Sequence, residues 1–147
     1  MSFSQLQSKS LFKALGDILT ADSQLTTIGL TGMFLDETIS TGRVTPYGTM
    51  QMIMGPTEDN IPSKTGRFTI TFWGKARSGA AEITLIDLGD RTEFLLDGDA
   101  GVALLAAQSM VNFKVRHIEH QQSLDLPTNA QNLKGYRLTF QIIVSKV

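Results

Sequence analysis

The only two histidines, His117 and His120, lie in the run RHIEH, and an H-x-x-H pair invites a metal ion. The residues around them, 111–119, alternate as a β-strand does, with Val111, Phe113 and Val115 aligned. Strand residues three apart point to opposite faces, so one ion would not reach both rings. His117 shares a face with Glu119, but two ligands without a third do not make a site. Both histidines are expected as solvent-facing strand polars.

Asp97-Gly98-Asp99 with Gly101 faintly resembles a calcium loop. An EF-hand needs carboxylate or amide groups at positions 1, 3 and 5, Gly at 6 and Glu at 12. Counting from Asp97, those last three positions hold Gly101, Val102 and Gln108, so DGDAG is expected as a helix-terminating turn. TIGLTGMF offers only G-x-x-G, without the Lys-Ser/Thr of a phosphate loop. There is no G-x-S-x-G elbow, and two strand histidines support no Ser–His–acid set. Cysteine is absent, which removes thiolate chemistry and disulfides. Asp87 and Asp90 are helix neighbours at i, i+3. With Glu82 and Glu93 they ring the outer side of one helix, as a solvated face does. No catalytic residue, cofactor site or metal ligand is nominated, and the chain is not expected to be an enzyme.

The elements that would position these residues follow from periodicity. Leu11, Phe12, Leu15, Ile18 and Leu19 recur at helical spacing and predict an amphipathic helix over 4–19. Residues 20–42 predict no clear element, only a short strand or an ordered loop. Alternation predicts strands over 48–54, where Met50, Met52 and Met54 align, over 67–76, where Phe68, Ile70 and Phe72 oppose Trp73, over 111–119, and over 136–144. A second helix is expected over 78–96, with Ser78 as N-cap and Glu82 in the first turn. Its face of Ala81, Leu85, Leu88, Thr92 and Leu95 should rest on the sheet. A short helical turn could follow within 99–108. The expected fold is α+β: an antiparallel sheet of about four main strands packed by two helices, in the order α-β-β-α-β-β. Two connections, 55–66 and 121–133, exceed the usual hairpin length and suit functional projections.

At 147 residues the chain has room for one domain, here taken as 1–147. Charged residues make up 18%, below the usual quarter, which favours an assembled protein. A net charge of −1 argues against a dedicated nucleic-acid binder. No run approaches the roughly 20 apolar residues of a membrane helix. The first residues lack a basic n-region and apolar core, so cytoplasmic synthesis without export is expected.

What remains is surface for partners. Residues 80–101 carry six acidic groups against Arg91, whereas 111–147 carry five basic groups against two acidic. Such opposed patches suit head-to-tail contacts between copies. Ile83, Ile86 and Phe94 fall within an arc of about 80° on the second helix, roughly opposite Leu85 and Leu88. A helix apolar on two sides is deeply buried or sandwiched between its own sheet and a neighbour. The interface candidates are Ile83, Ile86 and Phe94, with the loop residue Ile61 and with Trp73, for which ordinary packing is the equal alternative.

SLFKALGDILTADSQL (10–25), PYGTMQMIMG (46–55), RFTITFWGKARSGAAEI (67–83) and KGYRLTFQIIV (134–144) together resemble, in order and spacing, the tail-terminator or tail-completion proteins of siphovirus-like phages. DGDAGVALLAAQ (97–108) matches no feature of that family, and the correspondence of the 55–66 loop is unclear. The resemblance implies a virion protein of the head–tail junction, assembled in the host cytoplasm. It would form a hexameric ring that caps the tail tube and binds the head-completion or stopper protein. Double-stranded DNA would pass through its lumen, with no membrane and no catalysis. Another neck component, an adaptor or stopper, and a non-viral protein-binding module are the alternatives.

Overall fold

The computed structural model describes residues 3–34, 43–54, 63–75, 79–108, 113–129 and 132–146. Helix α1 (Phe3–Ala21) buries Leu11, Ala14, Leu15, Ile18 and Leu19, the i, i+3, i+4, i+7, i+8 stripe of a helix with one covered face. Asp22 then breaks the helix. Its backbone is extended, and its carboxylate caps the short helix α2 (Ser23–Ile28) by accepting from the Leu25 amide at 3.0 Å. Strand β1 (Met33–Phe34) follows, then β2 (Tyr47–Met54) and β3 (Ser63–Lys75). Helices α3 (Gly79–Leu96) and α4 (Gly98–Ala106) precede the long hairpin of β4 (Phe113–Leu126) and β5 (Leu133–Lys146).

The five strands form one sheet in the order β1-β2-β3-β5-β4. All pairs are antiparallel except β1 with β2, which is parallel. The α+β class therefore stands, while the four-strand, two-helix order gives way to five strands and four helices among the described residues. Two further helices arise where the sequence pattern is weakest: α2 within 20–42, and α4, longer than the short helical turn expected within 99–108.

Alternation along β3 and β5 puts Phe68, Ile70, Phe72, Leu138, Phe140, Ile142 and Val144 on the helix side, each fully buried. Phe68 and Phe140, directly opposite in register, stack with ring centroids 4.9 Å apart, a pairing worth about 0.5–1.5 kcal/mol beyond its area. Helix α3 lays Leu85, Leu88, Thr92 and Leu96 on this surface, and the buried Thr92 hydroxyl is satisfied by the Leu88 carbonyl at 2.8 Å.

The two long connections are shorter than expected. β3 already begins at Ser63, and β4 continues through Leu126. β4 lies at the edge of the sheet and carries irregularities between Val115 and His117 and between His120 and Gln122. Beyond Ile118 the strand runs through EHQQS before Leu124 and Leu126, so no apolar alternation marks this stretch as strand. Ser78 and Val111 lie outside the described residues.

Candidate functional site

The helical wheel of α3 divides as its sequence predicts. Opposite the buried Leu85 and Leu88, Ile83 is 63% exposed, Ile86 40% and Phe94 71%. Asp87 and Asp90, also exposed, project between them. The outer stripe thus runs apolar, acidic, acidic, apolar from Ile83 to Phe94.

Polar contacts at its start, middle and end hold this helix in place. Near its start, Glu82 pairs with Lys134 of β5, and the hydrogen bond raises the lysine pKa above its ordinary value. In its middle, Arg91 donates through Nε and Nη2 to the Asp22 carboxylate at 3.1 and 2.9 Å. That bidentate bond outweighs the cost of burial and lowers the Asp22 pKa while raising that of Arg91. The Arg91 guanidinium also stands 5.2 Å from the Phe94 ring centre. Beyond its end, Asp97 accepts from the His120 amide of β4 at 2.8 Å.

On the far face of the sheet, the part around Ile53, Arg67 and Leu124 is exposed. A shallow groove of about 340 Å³ crosses it, floored by Thr69 and Thr139 and bordered by Ile53, Arg67, Arg137 and Leu124. Ile53 is 72% exposed and Leu124 47%. Arg137 donates through Nε to Thr71 Oγ1 at 3.1 Å, and Arg67 is exposed. The polar alternation of β3 and β5 foretells such a face, but its second wall is the part of β4 that carries no strand signal.

Trp73, an interface candidate with ordinary packing as its alternative, packs within its own chain. It is 6% exposed, and its indole nitrogen donates to the buried Thr49 hydroxyl at 3.1 Å. Gly135 lies opposite it in register, and a methyl group there would sit 3.0 Å from the indole ring and from Leu126. The missing side chain of Gly135 makes room for the indole against its own sheet. Ile61 lies outside the described residues.

The histidines point to opposite faces. His117 is exposed and lies 3.3 Å from Glu119 Oε2. His120 faces the helices instead of solvent, with Nδ1 3.2 Å from Glu93 Oε1 and its ring edge-on to Phe140. Among the described residues no three His, Asp or Glu side chains come together to hold a metal ion. No helix of the described residues is long and apolar enough to cross a membrane.

No protein-family model and no curated protein matches this chain. Among solved structures, a chain of the virion of a native gene transfer agent (GTA) particle is similar in fold, with a TM-score of 0.67. The likeness covers 94% of this chain and 93% of that one, at 13% sequence identity.

Proposed function

We propose that this chain is a structural virion subunit that assembles into a ring at the head–tail junction of a phage-like particle. There it caps the tail tube and joins it to the head connector. The observation that carries this function is the outer face of α3. Three large apolar side chains are held outward on a helix tied down along its length, an arrangement that serves a neighbour better than water. The fold likeness to a virion chain supports the virion-subunit part of this reading, and the resemblance in motif order to tail-terminator proteins supports the tail-capping part.

The mechanism is geometric and needs no catalysis, cofactor or metal. One face of a ring, six-membered in that family, matches the end of the tube, and the other does not, so further tube subunits find no seat. Duplex DNA passes through the lumen without being held by a basic surface, consistent with the net charge of −1.

Negative-stain microscopy of the purified protein, alone and mixed with tail-tube protein, tests this function. Rings alone, or caps on tube ends, are the expected result. Binding to the portal-side complex and not to tube ends would make the protein an adaptor or stopper. A monomer at high concentration that binds neither refutes the proposal.

A further inference from the structure

Given a ring-forming subunit, as proposed above, we infer that neighbouring copies join head to tail, with the outer face of α3 from one copy seated in the open sheet groove of the next. The two surfaces carry matching patterns. Along α3 the order is Ile83, Asp87, Asp90, Phe94, with the acidic pair between apolar ends. Across the groove, strand by strand from β2 to β4, the order is Ile53, Arg67, Arg137, Leu124, with the cationic pair between apolar ends.

The dimensions also agree. Three steps between strands, at about 4.8 Å each, separate β2 from β4 by roughly 14 Å, a little more than the 10–12 Å width of a helix with its side chains. Ile53 pairs with Arg67 and Leu124 with Arg137, four residues apart along the strands, so the two apolar ends lie roughly 20 Å apart on the diagonal. Ile83 and Phe94 are about 16 Å apart along the helix axis, before their side chains splay outward.

Within one subunit α3 covers one face of the sheet and the groove lies on the other. A chain therefore cannot satisfy its own groove, and the contact is heterologous. Repeated, it closes into a ring wherever its rotation divides the circle. Opposed charges fix the register, and the apolar ends supply the buried area.

Two full-length variants test the contact. Phe94→Asp with Ile83→Asp spoils the helix face and keeps the groove. Arg67→Glu with Ile53→Asp spoils the groove and keeps the helix face. All four positions are exposed, so unchanged circular dichroism and melting are required of both. Sedimentation velocity should show each variant alone failing to assemble at a concentration at least about tenfold above that sufficient for the wild type. Mixed one to one, the two should form a dimer and stop, because one intact contact survives per pair. Arg67→Lys, which retains the charge, should assemble. If the wild type forms rings and the groove variant does so equally well, the helix docks elsewhere and the inference falls while the ring stands. A wild type that forms no oligomer, alone or on tube ends, overturns both. Should either double variant unfold, Arg67→Glu and Asp90→Lys replace them singly, and wild-type assembly by both refutes the contact.

Discussion

Asp22 ties α2 to the middle of α3, and its replacement by alanine removes two interactions at once. The first is the cap on α2, a 3.0 Å bond from the Leu25 amide, worth about 1 kcal/mol. The second is the bidentate bond to Arg91 at 3.1 and 2.9 Å. The Arg91 and Asp22 side chains are 20% and 12% exposed. Water can therefore reach the orphaned guanidinium in part, and the loss should fall below the 3–5 kcal/mol of a fully buried pair, at about 1–3 kcal/mol. Together Asp22→Ala should cost about 2–4 kcal/mol, lowering the melting temperature by roughly 5–15 °C for a domain of this size. Asp22→Asn retains a good cap and loses only the charge, so it should recover about 1 kcal/mol of that loss.

The acid limb gives an independent check on Asp22. Because Arg91 lowers the Asp22 pKa below its ordinary 3.8, the contribution to stability is complete above that value. It is lost as pH falls through the depressed folded value. The gap between wild type and Asp22→Asn should thus stay constant from pH 5 to 8 and narrow below about pH 4. Calorimetric melts of the three proteins across this range provide the measurement. An alanine variant melting within about 1 °C of wild type, or an asparagine variant as damaged as alanine, would refute this account.

Other substitutions probe the remaining parts. Leu85→Asp places a charge on the buried face of α3 and should abolish the cooperative melt, whereas Phe94→Asp should leave the melt unchanged and weaken assembly. Gly101→Ala should destabilise by more than about 3 kcal/mol in urea titration, because overpacking there has no slack. A methyl group at Gly101 would stand 1.9 Å from the Leu96 carbonyl oxygen. Trp73→Phe leaves the buried Thr49 hydroxyl without its donor and should cost about 1–3 kcal/mol, again by urea titration; an unchanged midpoint would mean the indole bond contributes nothing.

The central sheet and α3 were legible because burial there is one-sided. Phe68, Ile70 and Phe72 must all face the helices, and so must Leu85 and Leu88 in the other direction, so each pattern is regular. The same logic made Ile83, Ile86 and Phe94 stand out. Trp73 misled because the far face is not uniformly wet. Its end near Tyr47 and Leu126 is apolar, and only the pairing of Trp73 with Gly135 reveals the space that takes the indole. Much of the groove stayed hidden because one of its walls, Gln122 and Leu124, is edge strand facing solvent, where packing imposes no periodic choice of residue. α4 and α2 were obscure for a related cause: each is short, and each buries few side chains, Leu105 in one and Leu25 in the other.

The two irregularities in β4 have a consequence for how this edge of the sheet meets other chains. A straight edge of fourteen residues would offer a ready template on which other chains could zip, as in amyloid growth. Doubling a residue at Arg116 and again at Gln121 throws the amide and carbonyl spacing out of step and twists the margin. Foreign backbone then finds no continuous run of donors and acceptors along this margin.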